Sequence, residues 1–217
     1  MGAKKLLKKG LQELKIQYSE EQIGAFMLYL AELKKWNKAY NLTALRKDND
    51  IIVKHFLDSL LYLKAIPEGT LKLADAGTGA GFPGIPLKLV RPEIDLTLIE
   101  SSRKKAAFLR HILRKLGLDN STVLEKRLEA LGETHRHSFD VMVTRATFRA
   151  EEFLRMACPY IKKRNGLLIL SKGPKISEEL EDLERSPDNS AAVKEILKVQ
   201  LPFEEVRRNL LILICSP

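Results

Sequence analysis

The sequence contains no apolar run that approaches the roughly 20 residues a membrane-spanning helix needs, so we expect no membrane contact. No signal peptide is visible, because lysines between residues 4 and 9 interrupt the N-terminal apolar residues. Cysteine is scarce: the chain has two, Cys158 and Cys215, which lie far apart. We expect them to be buried free thiols in a reducing compartment, and the protein to be cytoplasmic.

Histidine is scarce as well, which argues against a metal centre. Metal sites combine histidine, cysteine and carboxylate ligands at short, characteristic spacings. The chain has four histidines, and none shows ligand spacing with a cysteine: His55, His111, His135 and His137. The pair His135-x-His137 is too weak a signal by itself, so we predict no bound metal.

Positive charge is abundant. Lysine and arginine number 37 against 28 acidic residues, which gives a net charge of +9 and favours a polyanionic partner. With 217 residues, 45% of them hydrophobic, the chain can bury a sizeable core without disulfides. We predict an N-terminal helical cap over residues 1–66 and a cofactor-binding domain over 67–217, packed as one compact, monomeric unit.

A glycine-rich stretch between Leu71 and Leu87, LKLADAGTGAGFPGIPL, is the strongest local signal. An apolar strand ends at Asp75 and is followed by closely spaced glycines, which suit positive φ or close approach of a ligand. Pro86 and the apolar residues after it predict the first turns of a helix. A strand, a glycine turn and a helix together can hold a nucleotide-like ligand at the helix N-terminus.

The spacing within this stretch favours one class of cofactor. Asp75-x-Gly77-x-Gly79-x-Gly81 resembles the cofactor loop of Rossmann-like S-adenosylmethionine-dependent methyltransferases. The dinucleotide pattern GxGxxG fails from Gly77 because Phe82 stands at the third glycine, and it fits only formally from Gly79. A carboxylate before the loop also suits a cationic ligand better than a pyrophosphate. A dinucleotide-dependent oxidoreductase remains the alternative.

Further strands and helices follow in the alternation that predicts a parallel sheet. We predict strands over residues 95–99, 122–124, 139–143 and 166–170, and a late antiparallel pair over 195–201 and 210–214. N-terminal to the predicted strands, Ser19 and Gln22 predict a capped amphipathic helix. Residues 103–115 predict the most basic helix of the chain, with its cations free to contact phosphates.

Several motifs together resemble one family. Trp36-Asn37-x-x-x-Asn41-Leu42-Thr43 and His55-x-x-Asp58-Ser59-Leu60, joined to the glycine loop, are similar to the small-subunit ribosomal RNA guanine-N7 methyltransferases, also called glucose-inhibited division protein B. The resemblance runs from about Trp36 to the C-terminus. It implies an α/β fold of the Rossmann-like class I methyltransferases: a mostly parallel seven-stranded sheet with helices on both faces, plus an N-terminal helical extension.

The resemblance and the fold class also imply a set of site residues. Arg145, at the end of the fourth strand where the family reads Ser-Arg-Ala and this chain reads Thr-Arg-Ala, and Lys172, at the end of the fifth, would be catalytic. The S-adenosyl-L-methionine cofactor would be held by Asp75, Gly77, Gly79, Gly81, Phe82, Glu100, Leu128, Glu129 and Arg145. RNA would be bound by Lys104, Lys105, Arg127 and Lys172. Arg208 resembles a family arginine but receives no role.

Absent motifs narrow the chemistry further. The chain has no Asn- or Asp-Pro-Pro-aromatic tetrapeptide, which exocyclic-amine methyltransferases use, and no cysteine follows a proline as a candidate nucleophile. Guanine N7 carries an in-plane lone pair, so its methylation needs positioning and not a general base. The predicted substrate is small-subunit ribosomal RNA or a ribosomal particle. The alternatives are a cofactor-sensing RNA-binding protein without turnover and a methyltransferase for a small metabolite.

Overall fold

A computed structural model describes residues 1–145, 148–173, 176–185, 191–205 and 207–215. The predicted Ala146, at the end of the Thr-Arg-Ala motif, lies outside these residues. The α-helices are α1 (Ala3–Glu13), α2 (Glu20–Tyr40), α3 (Asp48–Ile51), α4 (Asp58–Leu60), α5 (Gly84–Val90), α6 (Arg103–Leu116), α7 (Ala150–Ala157) and α8 (Ser177–Arg185). The strands are β1 (Lys72–Ala76), β2 (Asp95–Ile99), β3 (Ser121–Leu124), β4 (Val141–Arg145), β5 (Leu167–Lys172), β6 (Ala191–Gln200) and β7 (Arg207–Cys215).

The strands form one seven-stranded sheet in the order β3-β2-β1-β4-β5-β7-β6. Neighbouring strands from β3 to β5 run parallel, whereas β7 runs antiparallel to both β5 and β6. The predicted mostly parallel sheet and its late antiparallel pair are therefore confirmed. Strand order reverses between β1 and β4, and in open α/β sheets ligands bind beyond the carboxyl ends of the strands at such a reversal.

Alternate residues of the central strands face two hydrophobic clusters, as the period of two in a strand requires. Leu73, Val141 and Ile169 belong to a cluster that also contains side chains of α1, α2, α5 and α6. Ala74 and Met142 face the opposite cluster, which α7 covers. Helices thus pack on both faces of the sheet. The first cluster joins the N-terminal helices to the sheet and thus spans the predicted domain boundary at residue 66. The division of the chain at that residue stays a prediction.

The N-terminal helices follow from their sequence. Ser19 caps α2: its side chain accepts from the Gln22 backbone N–H, and the Gln22 side chain accepts from the Ser19 N–H, which is the predicted capping box. The helix ends where Asn41 adopts a left-handed conformation with φ 49°. A π-helical turn over Ile52–Leu57 then leads into α4 and carries His55. Such turns are frequent at functional sites.

Two fully buried tyrosines connect these helices to the site end of the sheet. The Tyr29 hydroxyl donates to the carbonyl of Ala80 in the glycine loop. The Tyr62 hydroxyl donates to the carbonyl of Thr144 and accepts from the N–H of Ser171 at 3.1 Å, which ties the ends of β4 and β5 together. The N-terminal segment is therefore part of the scaffold that positions the site.

The expectation of free thiols is wrong. Cys158 and Cys215 form a disulfide, with their Cα atoms 5.7 Å apart. The short helix after α7 and the end of β7 meet on the same face of the sheet, which a separation of 57 residues hides in the sequence. The two cysteines therefore give no support to a reducing compartment.

Two glycines offer a matched test of the packing. A methyl group on Gly84, at the start of α5, would lie 2.6 Å from Leu98 Cδ2 and 2.9 Å from Asp75 Oδ2, whereas a methyl group on Gly24 would meet nothing within 4 Å. Gly84→Ala should lower the free energy of unfolding by about 1–3 kcal/mol through overpacking. Gly24→Ala, inside α2, should raise it by about 0.5–1 kcal/mol. Urea unfolding measures both, and equal effects would contradict the packing at Gly84.

Candidate active site

The glycine loop after β1 forms the floor of the site. The backbone φ angles of Gly77, Gly79 and Gly81 are 67°, 63° and 101°. Residues with side chains rarely adopt such values. A Cβ on Gly79 would meet nothing within 4 Å, whereas a Cβ on Gly81 would lie 2.7 Å from the Tyr29 hydroxyl. Gly79 thus leaves room for a ligand, and Gly81 allows the loop to pack against α2.

Asp75 supports this loop from beneath. Its carboxylate is fully buried, and Oδ2 accepts from Thr78 Oγ1 at 2.5 Å and from the Gly84 N–H at 2.7 Å. Oδ1 is buried and has no hydrogen-bond partner in the part of the chain that the structure describes. Burial raises the pKa of Asp75 to about 7, against the opposing effect of the two hydrogen bonds. A cationic ligand nearby would favour its ionised form.

A cavity of about 390 Å³ opens beyond the ends of β1 and β2. Gly77, Glu100, Leu128 and Glu129 line it, so four of the residues assigned to the cofactor lie together. Glu100 is buried, and its two carboxylate oxygens accept from the backbone N–H groups of Gly79, at 2.9 Å, and Ser102, at 2.8 Å. The carboxylate is therefore held rigidly, with lone pairs left for a ligand.

Two of the four residues assigned to RNA line this cavity. Lys105 and Arg127 line it, whereas Lys104 is exposed on α6 and does not line it. The Arg127 side chain is 77% exposed, and its Nη1 lies 4.0 Å from Glu129 Oε1. At this exposure the ion pair contributes little to stability. Arg127 is therefore available at the rim, while Lys105 faces the cofactor side.

Two further cavities lie next to the first. A cavity of about 170 Å³ shares Gly77 with it and is also lined by Gly79, Phe82 and Arg145. A third, of about 450 Å³, shares Thr43, His55 and Arg145 with the second and extends to Lys172 and Arg208. The three cavities are therefore neighbours in a row, and Arg145 lines the last two.

Arg145 is held by the N-terminal segment. Its Nη1 donates to the Lys54 carbonyl at 3.1 Å and to Asp58 Oδ2 at 3.3 Å, and its Nη2 lies 3.0 Å from His55 Nδ1. The guanidinium also lies over the Phe82 ring, 5.3 Å from its centroid, as a cation–π contact. Arg145 is thereby fixed at the junction of the cavities.

Asp58 binds two arginines from different strands. The residue is 3% exposed, and its carboxylate contacts Arg145 from β4 through Oδ2 and Arg208 Nε from β7 through Oδ1, the latter at 2.8 Å. A buried carboxylate is tolerated when its oxygens are paired and hydrogen-bonded. Sequence analysis gave Asp58 and Arg208 no role in the site. Their signals were the His55-x-x-Asp58 spacing and an arginine just before the last apolar strand.

Lys172 lies at the edge of the third cavity but points towards α8. Its Nζ donates to the Phe148 carbonyl at 2.6 Å and pairs with Glu179 Oε2 at 2.7 Å. Glu179 also accepts from the Ala150 N–H at the start of α7. The ammonium therefore joins β5 to α7 and α8, and these two contacts use two of its three N–H donors.

Within the described residues, no group of three or more His, Cys, Asp or Glu side chains is arranged to hold a metal ion. Over the same residues, none of the helices is both long enough and apolar enough to span a bilayer.

Solved structures with the same fold include S-adenosylmethionine-dependent methyltransferases. A SAM-dependent methyltransferase from Aquifex aeolicus aligns with a TM-score of 0.58 and 18% identity over 85% of this chain and 98% of that chain. TYW2 from Pyrococcus horikoshii, in complex with MeSAdo, aligns with a TM-score of 0.57 and 15% identity over 74% of this chain and 62% of that chain. At these identities the likeness shows the fold.

Sequence relatives show the family. Ribosomal RNA small subunit methyltransferase G from Alkaliphilus metalliredigens is 37% identical, covering 98% of this chain and 90% of that protein. The protein of the same name from Geobacter sp. strain M21 is 38% identical and covers 97% of each. The profile of the family described as rRNA small subunit methyltransferase G (GidB) matches residues 22–210. The chain therefore belongs to the rRNA small subunit methyltransferase G family.

Proposed function

We propose that this chain transfers a methyl group from S-adenosylmethionine to N7 of a guanine in small-subunit ribosomal RNA. The observation that carries the proposal is the row of three neighbouring cavities at the strand ends, which share Gly77 and Arg145 as lining residues. One cavity suits the adenosine, the next the reacting methyl group and the third the target base. The names of the relatives support the substrate class, and the resemblance noted above supplies N7.

The residues present fit this cofactor. Glu100, with its carboxylate fixed by two backbone N–H groups, would accept hydrogen bonds from the ribose hydroxyls. Leu128 and Glu129 would contact the adenine from the far side of the same cavity. Gly79 leaves space for the methionine portion, and the unpartnered Asp75 Oδ1 provides negative charge beneath it. When bound, S-adenosylmethionine supplies an electrophilic methyl group on a cationic sulfur.

The protein would promote the reaction by positioning the target guanine and not by acid–base chemistry. Guanine N7 has no proton to lose, so the site needs no general base. His55 could not readily act as one, because its Nδ1 faces the Arg145 guanidinium. Arg145, fixed at the junction of the cavities, would donate to guanine O6 or to a phosphate and leave N7 free for attack.

The basic surface supports a nucleic-acid substrate. Lys105 of α6 and Arg127 line the cofactor cavity, and α6 carries further exposed cations. Such cations bind phosphates without reading sequence. Because a stacked base cannot enter the third cavity, the target guanine must be unstacked in the RNA or in the particle.

Arg145 gives a direct test of this mechanism. Arg145→Ala should lower turnover by about 100-fold or more, since a fixed charge at the reacting base is lost. Arg145→Lys keeps the charge without the planar fork, so its turnover should lie between that of Arg145→Ala and that of the unaltered protein. The measurement is the rate of 7-methylguanosine formation, with circular dichroism to verify the fold. As a control, Arg136→Ala removes an arginine that pairs with Glu133 before β4, and this variant should have the turnover of the unaltered protein. Near-normal turnover in Arg145→Ala would contradict the proposed role of Arg145.

Asp75 predicts how stability depends on pH without cofactor. Its folded-state pKa of about 7 lies above the usual value of 3.8, so the folded state holds an extra proton between these values. The free energy of unfolding should therefore fall as pH rises from about 4 to about 7, by at most ~1.4 kcal/mol per pH unit from this group. Asp75→Asn should flatten this slope in urea unfolding. Identical slopes would contradict the burial effect.

The decisive assay measures transfer of labelled methyl from S-adenosylmethionine to small ribosomal subunits and to stripped RNA, with the modified base identified by mass. We expect 7-methylguanosine on at least one of these substrates. Saturable cofactor binding without transfer would instead favour a sensor, and binding of reduced nicotinamide would favour the oxidoreductase. The absence of any cofactor binding would contradict the proposal at its first step.

A further inference from the structure

Adenine and guanine both present N7, so methylation at N7 alone does not select guanine. The two bases differ beside it: guanine carries the acceptor O6, and adenine carries a donor amino group. A site that offers donors and no acceptor at that position would select guanine. This inference rests on the proposed function.

Three side chains form a hydrogen-bonded chain at the junction of the second and third cavities. Arg145 Nη2 lies 3.0 Å from His55 Nδ1, and His55 Nε2 lies 2.7 Å from Thr43 Oγ1. The Leu45 N–H also donates to Thr43 Oγ1 at 3.2 Å. All three side chains line both cavities.

Arg145 determines the tautomer of His55. A guanidinium can only donate, so His55 Nδ1 must present its lone pair to Arg145, and Nε2 must carry the proton. Burial, with the Arg145 charge as the second cause, lowers the pKa of His55 to about 3, which keeps the ring neutral. The Lys54 carbonyl, 3.1 Å from Nδ1, accepts from Arg145 Nη1 at 3.1 Å instead. Stacking on Phe82, with centroids 4.5 Å apart, holds the ring plane.

This tautomer determines the direction of the Thr43 hydroxyl. Thr43 Oγ1 accepts from His55 Nε2 and from the Leu45 N–H, so both of its lone pairs are used. Its own proton has no acceptor among the side chains and backbone groups that the structure describes. The backbone of Thr43 is held separately, by two 2.9 Å hydrogen bonds with the Asn37 side chain. The hydroxyl is therefore a fixed donor that cannot accept.

We propose that Thr43 donates a hydrogen bond to O6 of the target guanine and thereby excludes adenine, with His55 as the positioning residue. An adenine amino group would meet the hydroxyl proton and find no lone pair on Thr43 Oγ1. Arg145, also donor-only, adds to the same discrimination. The selection arises from the direction of one proton, which Arg145 sets through His55.

The test compares Thr43→Val with Thr43→Ser on RNA that carries either guanosine or 2-aminopurine at the modified position. 2-Aminopurine keeps N7 and the N2 amino group but has no O6. On guanosine, Thr43→Val should lose about tenfold in kcat/KM, the contribution of one hydrogen bond, while Thr43→Ser retains most of the preference for guanosine. On 2-aminopurine, Thr43→Val and the unaltered protein should react equally.

A Thr43→Val loss of the same size on both bases would assign Thr43 a structural role and overturn the proposal, as would a Thr43→Val rate equal to that of the unaltered protein on guanosine. Cofactor affinity, measured by calorimetry, should change by less than about twofold in Thr43→Val, because Thr43 touches the base. If the unaltered protein forms no 7-methylguanosine on any substrate, the proposed function itself fails. The outcomes are thus distinguishable.

His55 is tested by two substitutions that each keep one of its hydrogen bonds. Gln places a donor amide near the position of Nε2, and Asn places an acceptor near that of Nδ1. His55→Gln should keep the preference for guanosine over 2-aminopurine, whereas His55→Asn should lose it even though Arg145 keeps an acceptor. An equal preference in the two variants would overturn the positioning role.

Discussion

The buried carboxylate of Asp58 is the interaction on which the site depends. It draws Arg145 of β4 and Arg208 of β7 to the start of α4, so one side chain from the N-terminal segment organises two strands of the sheet. Asp58 is 3% exposed, and a charge buried in this way is stable only while it is paired. The ion pairs therefore couple the position of the N-terminal helices to that of the reactive arginine.

Aromatic packing makes the same connection on the cofactor side. Phe82, in the glycine loop, lies between Tyr29 of α2, at a centroid distance of 5.4 Å, and His55, at 4.5 Å. Its face also carries the Arg145 guanidinium. The phenyl ring that breaks the dinucleotide pattern is thus the contact through which loop, helix and arginine are positioned together. A glycine at this place would leave all three without that support.

The sequence predicted the parts that depend on local chemistry. The capping box at Ser19, the buried face of α6 and the strand-turn-helix at Asp75 all follow from residues close together in the chain. The same holds for the alternating strands, whose ends bring Glu100 and Arg145 to one edge of the sheet. Contacts between residues far apart in the chain could not be predicted from the sequence. Cys158 and Cys215 were predicted to be free thiols but form a disulfide, and Lys172 proved to be paired with Glu179.

By itself, the sequence determined the class of fold, the cofactor loop and the family, because spacing along a strand or helix translates directly into a face or an edge. Only the tertiary structure decided that Asp58 joins Arg145 to Arg208, residues 87 and 150 positions away from it, and that Arg145 orients His55 and, through it, Thr43. The reason is physical. A hydrogen bond depends on distances and directions between side chains that the packing of the whole core sets, and no local pattern records them.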